Sequence, residues 1–115
     1  MDDYIKGKSG VSYPDRIKNN VHAQAFYGVI SAIFDGDDSI SATSDFTAEI
    51  SEAITEIISN HSQVDWTNNT TIHHRIEQEI DDLFFRYEKE RNFKVSYETV
   101  DKIIENVKTV ALRRF

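Results

Sequence analysis

The sequence predicts an all-α fold: a four-helix bundle or an irregular helical array, preceded by an irregular N-terminal arm. Two observations predict it. Apolar residues recur three and four positions apart along four segments, which is the period of a helix that buries one face. None of these segments alternates apolar and polar residues as a half-buried strand does.

Residues 1–14 form the predicted arm, in which small and helix-breaking residues interrupt any period: Gly7, Ser9, Gly10, Ser12 and Pro14. The first helix is predicted from Pro14 or Asn20 to Phe34, since proline fits a first helical turn. Its apolar face consists of Ala25, Phe26, Val29, Ile30 and Ile33. Gly28 lies inside this helix, where we expect a neighbouring helix to approach closely.

The second helix follows the loop 39–44, with Ser44 or Asp45 as its N-cap. Its apolar face is rich in isoleucine, which strands also favour, but the spacing is helical: Phe46, Ile50, Ile54, Ile57 and Ile58.

The third helix is predicted from Thr70 to about Arg91, capped by Thr67 or Asn69. Its apolar face is continuous over four turns: Ile72, Ile76, Ile80, Leu83, Phe84 and Tyr87. Trp66, the only tryptophan, lies just before it. We expect Trp66 to fill the junction between the second and third helices.

The fourth helix begins after Ser96, a favourable N-cap, and carries cations near its C-terminal end, where the helix dipole favours them. Its apolar face is Val100, Ile103, Ile104, Val107, Val110 and Ala111. A chain of 115 residues is expected to form one domain. We assign residues 15–115 to it and expect its long loops, 35–44 and 60–69, to tilt the helices away from a regular bundle.

Composition excludes several classes of protein. No cysteine is present, so a disulfide framework, a thiol nucleophile and a zinc–thiolate site are excluded. No apolar run approaches the roughly 20 residues of a membrane span, and the first residues lack the apolar core of a signal peptide. We therefore expect a cytoplasmic protein with no membrane partner.

Charge is unevenly distributed along the chain. The net charge is −7, and residues 35–82 hold twelve acidic residues against one basic residue, Arg75. Such a chain repels phosphate and favours a protein partner over bare nucleic acid. Residues 86–115 carry a small basic excess, so a nucleic-acid-binding helical module remains an alternative, using Lys94, Lys102, Lys108, Arg113 and Arg114.

Two clusters could hold a metal ion. His73, His74 and Glu77 are three and four residues apart on the third helix, so a pair of them could share one face. Glu77, Glu79, Asp81 and Asp82 are the second cluster, but neighbouring residues on a helix point about 100° apart and do not converge. Solvated polar faces are the simpler interpretation of both. No glycine-rich phosphate loop or G-x-S-x-G motif is present, so we expect no catalytic, cofactor or metal residue.

A few aromatic residues are candidates for partner contacts. Phe85 and Tyr27 fall off the apolar faces of their helices, so each either meets a second neighbour or is an exposed anchor. Tyr4 and Phe115, close to the two ends of the chain, are further candidates.

Three segments, in this order, resemble the C-terminal helical region of type I restriction enzyme R subunits. They are KNNVHAQAFYGV at 18–29, VDWTNN at 64–69 and RIEQEIDDL at 75–83. R subunits commonly carry a segment similar to Val-Asp-Trp-Thr near the C-terminus, followed by a charged helix. The resemblance covers about residues 15–90.

The resemblance implies a large parent subunit with a PD-(D/E)xK nuclease domain, two helicase-like motor domains and a helical domain at its end. ATP and Mg²⁺ would serve the motor and nuclease domains, whose catalytic motifs are not in these 115 residues. The helical domain would dock the translocase and endonuclease onto the methyltransferase (modification) core, and DNA would be contacted through the whole complex. The candidate partner-binding residues are Tyr27, Phe85 and Phe115.

Overall fold

A computed structural model describes residues 13–37, 40, 42–62 and 66–115, and within them the chain forms helices and no strand. The elements are a first 3₁₀ turn (Asp15–Ile17), α1 (Val21–Asp35), α2 (Ser44–His61), a second 3₁₀ turn (Trp66–Asn68), α3 (Thr70–Glu90) and α4 (Tyr97–Arg114). The predicted all-α fold with four main helices is confirmed. Residues 1–12, most of the predicted arm, lie outside the described residues.

Side-chain caps define where the helices begin. The Asn69 side chain accepts hydrogen bonds from two backbone N–H groups at the start of α3, at 3.0 and 3.3 Å. Ser96 caps α4 by accepting from the N–H of Thr99. Both N-caps were among those predicted, and each satisfies donors that would otherwise lack partners.

The predicted cap of α2 is wrong. Thr43, rather than Ser44 or Asp45, accepts the N–H of Phe46 at 3.0 Å. All three are capping residue types, and the backbone decides among them: Thr43 is extended (φ −74°, ψ 160°), whereas Ser44 and Asp45 already belong to the helix.

The main core lies between all four helices. It contains the buried faces of α2, α3 and α4, together with Phe26, Ile30 and Phe34 of α1. The predicted face of α3 is confirmed, with Ile76, Ile80, Leu83, Phe84 and Tyr87 buried and Ile72 partly buried against the same core. α1 packs most extensively on α2 and α4, whereas α3 contacts α4 only lightly.

α1 is buried on a wider face than its sequence predicts. Its predicted residues Ala25, Val29 and Ile33 are only partly buried, whereas Ala23 and Tyr27 form a second small core with Ile17 and Ala48. The Tyr13 ring packs edge-on against Tyr27, with centroids 5.8 Å apart.

The first 3₁₀ turn causes this second core by folding back over α1 and α2. The Gln24 side-chain amide donates to the carbonyl groups of Ile17 and Lys18, at 3.0 and 2.8 Å. Arg16 binds three carboxylates of α2, on Asp45, Glu49 and Glu52. These contacts attach residues 16–18, which directly follow the predicted arm, to α1 and α2.

The expectation that a neighbouring helix approaches closely at Gly28 is wrong. The glycine is exposed, and a Cβ atom added there would have no atom within 4 Å. Gly28 lies on the outer side of α1, where no other helix packs against it.

A short turn at 91–96 joins α3 to α4 and returns the chain on itself. Asn92 adopts a left-handed conformation (φ 53°), and the N–H groups of Arg91 and Phe93 both donate to the carbonyl of Tyr87. Asparagine is one of the few residues other than glycine that tolerates this geometry after a helix. The turn brings the end of α3 beside the start of α4.

None of the helices within the described part of the chain combines the length and the apolarity needed to cross a bilayer.

The Tyr87→Phe variant is expected to lose less stability at alkaline pH than the wild type does. Burial, and secondarily the nearby Glu49 carboxylate, raises the pKa of Tyr87 to about 12, whereas tyrosine in an unfolded chain titrates near about 10. Between these pH values the folded chain holds a proton that the unfolded chain has lost, so the free energy of unfolding falls as pH rises through this window. Phenylalanine retains the ring but has no proton to lose.

Urea unfolding at several pH values between about 9 and 12 measures the slope of the free energy of unfolding against pH. The Tyr87→Phe slope is expected to be shallower than that of the wild type. Tyr97→Phe, at an exposed position, is the matched control and should keep the wild-type slope. Equal slopes for all three chains would contradict the prediction.

Candidate partner-binding surface

A groove runs along the seam where α3 and α4 lie side by side in opposite directions. Each helix contributes one stripe of residues at helical spacing, and we name the surface between them the α3/α4 groove. Its walls include Glu77, Asp81, Phe85 and Glu88 of α3, and Tyr97, Asp101, Glu105, Lys108 and Leu112 of α4. The light packing of α3 on α4 leaves this seam open.

Two depressions make up the groove. One, of about 330 Å³, lies at the turn end between Phe85 and Tyr97. The other, of about 520 Å³, lies farther along α4 and extends to Leu112. Asp81 lines the first and Asp101 the second, and these two carboxylates are electrostatic neighbours. Val100 of the first depression and Asp101 of the second are consecutive on α4, so the two depressions adjoin at this acidic pair.

Exposed apolar side chains concentrate along this groove. Four large apolar residues within the described ranges are exposed, namely Val21 (61%), Phe85 (57%), Tyr97 (85%) and Leu112 (44%). Three of these four line the α3/α4 groove. Single exposed apolar residues are ordinary, but grouping in one concave strip is typical of an interaction site.

The boundary between the two depressions carries repelling negative charge. Partial desolvation raises the pKa of Asp81, and the carboxylates of Asp101, Asp82 and Glu77 raise it further. Glu77 is neutralised by Lys108, whose Nζ lies 2.5 Å from its carboxylate. Neither Asp81 nor Asp101 forms an ion pair with another residue that the structure describes. Their charges are thus available to a partner.

The predicted partner anchors have different outcomes. Phe85 is exposed, which is one of the two alternatives that its position off the apolar face of α3 left open, and Lys89 Nζ lies 4.8 Å from its ring centroid. Tyr27 is wrong as a surface anchor, because it is buried under the first 3₁₀ turn. Phe115 is half-buried: its ring lies 4.4 Å from that of His22 and packs on the main core. Tyr4 lies outside the described residues.

The metal-site candidates are not assembled. His73 packs against Trp66, with ring centroids 5.5 Å apart, while Glu77 pairs with Lys108. His74 is exposed. Within the described ranges, no group of three histidine or acidic residues is placed to hold an ion.

The basic residues of the alternative nucleic-acid interpretation do not form a single patch. Lys94 lines the first depression beside Asp81 and Glu88, and Lys102 lines the second beside Asp101 and Glu105. Lys108 is bound to Glu77. Of the five cations, only Arg113 and Arg114 are neighbours. They lie at the end of α4 and line a third depression together with Ala25 and Val110. Three of the five cations therefore lie among carboxylates.

Sequence reasoning missed the α4 wall of the groove. Tyr97, Asp101, Glu105, Lys108 and Leu112 recur at intervals of three and four, so this second stripe is visible in the sequence. It is mostly polar, however, and a polar stripe is normally the solvated face of a helix. Only the position of α3 beside it makes it one side of a groove.

Comparisons of this chain with protein-family models, curated proteins and solved structures found no match.

Proposed function

We propose that this chain is a non-catalytic assembly domain of a type I restriction R subunit. In this proposal it works in the cytoplasm and docks the ATP-dependent translocase and endonuclease onto the methyltransferase core. The sequence resemblance in residues 15–90 suggests the parent subunit. ATP and Mg²⁺ belong to the parent's motor and nuclease domains, and no residue here is proposed to bind them.

The grouping of exposed apolar residues in the α3/α4 groove is the observation that carries the docking role. Phe85 and Tyr97 lie at one end of the groove and Leu112 at the other, with charged residues between them. A protein–protein interface likewise combines apolar contact area with polar and charged groups. Aromatic residues are also those that contribute most to binding when a partner covers them.

A nucleic-acid-binding role is the competing function, and electrostatics disfavours it. The net charge of −7 repels phosphate. Lys94 and Lys102 line depressions that carboxylates also line, so phosphate would meet negative charge there, and Lys108 is already paired. Arg113 and Arg114 remain as a pair of neighbouring cations at one end of α4.

Co-elution with a methyltransferase core tests the proposal. The chain is mixed with the purified methyltransferase–specificity complex encoded beside its gene, and size exclusion is followed at several salt concentrations. A stable complex that persists in moderate salt is expected. Separate elution of two folded components, or the lack of such genes, would contradict the assignment to a restriction system.

A DNA titration of the isolated chain separates the two functions. Weak or undetectable binding is expected. Tight binding that falls steeply with salt, and that Arg113→Ala with Arg114→Ala abolishes, would favour the nucleic-acid role instead.

A further inference from the structure

We propose that the α3/α4 groove binds a basic amphipathic helix of a partner protein. This inference rests on the proposed docking function and goes further, because it names the surface and the chemistry of the segment that fills it.

The dimensions of the groove suit a helix. From Tyr97 to Leu112 the α4 wall extends over fifteen residue steps, which is about 22 Å at the rise of an α-helix. Four turns of a partner helix cover that length. Helices that lie in grooves use apolar side chains on successive turns as anchors.

Anchor positions exist at both ends of the groove. Phe85 and Tyr97 border the first depression, and Leu112 with the partly buried Ile104 borders the second. A partner helix with large apolar residues near each end would cover these four side chains. About one turn from its contacts with Phe85 and Tyr97, such a helix would lie over Asp81 and Asp101.

The excess of negative charge in the groove favours a partner segment with basic side chains. Five carboxylates line its two depressions against three lysines, and Lys108 is already paired with Glu77. Lys94 and Lys108 stand towards the ends and Lys102 directly follows Asp101 on α4, whereas Asp81 and Asp101 have no ion-pair partner among the described residues. A lysine or arginine of the partner helix placed over this pair would relieve their mutual repulsion.

A second copy of this chain and a nucleic acid both fit this surface poorly. Two copies would bring two acidic grooves together, and each chain has a net charge of −7. Phosphate would face the same carboxylates. A basic protein segment is the occupant that the charges favour.

Peptide binding tests the inference directly. The probe is a synthetic helix of about 18 residues with leucine and tryptophan near both ends of one face and lysines between them. A control peptide keeps the apolar positions and carries glutamate in place of lysine. Fluorescence anisotropy gives the dissociation constants, and amide chemical shifts of the labelled chain give the site.

The basic peptide is expected to bind at least about tenfold more tightly than the acidic one and to shift amides along α3 and α4. Phe85→Ala combined with Tyr97→Ala should weaken it by about tenfold or more. Asp81→Asn combined with Asp101→Asn should weaken it several-fold and reduce its dependence on salt. Val21→Ala, at an exposed apolar position outside the groove, is the matched control and should bind as the wild type does.

Folding of each variant is checked by circular dichroism and thermal unfolding. Asp81→Asn is expected to unfold at the same temperature as the wild type or higher, since it removes a charge that its neighbours repel. Equal affinity for the two peptides, chemical shifts confined to another face, or self-association through the groove would each overturn the inference.

The proposed function and this inference can fail separately. If the methyltransferase core binds the wild-type chain and the groove variants equally well, the groove is wrong and the docking function stands. If the basic peptide binds in the groove but the methyltransferase core does not bind, the surface stands and the restriction assignment is wrong.

Discussion

Replacing Trp66 with alanine is expected to lower the free energy of unfolding by about 3–5 kcal/mol. The side chain is 3% exposed and belongs to the main core, at the second 3₁₀ turn between α2 and α3. Its ring lies against His73 of α3. Alanine would leave a cavity at the point where the chain turns from one helix into the next.

Trp66→Phe is expected to cost much less than Trp66→Ala. Phenylalanine keeps an aromatic ring in the site, and the buried Nε1 of Trp66 has no hydrogen-bond partner among the described residues. Thr67→Ala, at an exposed position in the same 3₁₀ turn, is the matched control, with an expected change within about 0.5 kcal/mol.

Urea unfolding followed by far-ultraviolet circular dichroism measures all three variants. Tryptophan fluorescence is unsuitable because two of the variants lack the only tryptophan. A loss below about 1 kcal/mol for Trp66→Ala would mean that the indole does not support the junction between α2 and α3.

Replacing Ile54 with alanine is expected to cost about 2–5 kcal/mol. Ile54 lies in the middle of α2, has no exposed surface and belongs to the main core. Removing three carbon atoms there loses buried apolar area and leaves a cavity that tightly packed neighbours cannot fill.

Ile57 offers a chemically identical comparison on the same helix. It packs against the main core but keeps part of its surface in solvent, so Ile57→Ala should cost clearly less than Ile54→Ala. Glu56→Ala, at an exposed position between them, should change stability by about 0.5 kcal/mol or less. Equal losses at Ile54 and Ile57 would contradict the orientation of α2 in this structure.

Local pattern was sufficient to predict the helices that bury one clear face. In α3, the apolar residues from Ile76 to Tyr87 fall on a single stripe, and Asn69 is a capping residue directly before the first turn. In such a segment the period of the pattern and the cap agree, so no tertiary information is needed.

Tertiary contacts decided the features that local pattern could not predict. Tyr27 is buried because the first 3₁₀ turn, held by Arg16, returns over α1. The α3/α4 groove has its walls on two helices, so neither Phe85 nor Tyr97 alone indicates it. Residues 63–65, which include part of the segment that carries the resemblance, lie outside the described residues.

Hydrogen exchange of the chain, alone and with the methyltransferase–specificity complex, tests the docking function most directly. Protection is predicted along α3 and α4 at the residues of the groove, with little change on the outer side of α1 around Gly28. Unchanged exchange throughout, or protection confined to a surface away from the groove, would contradict the proposed docking mode.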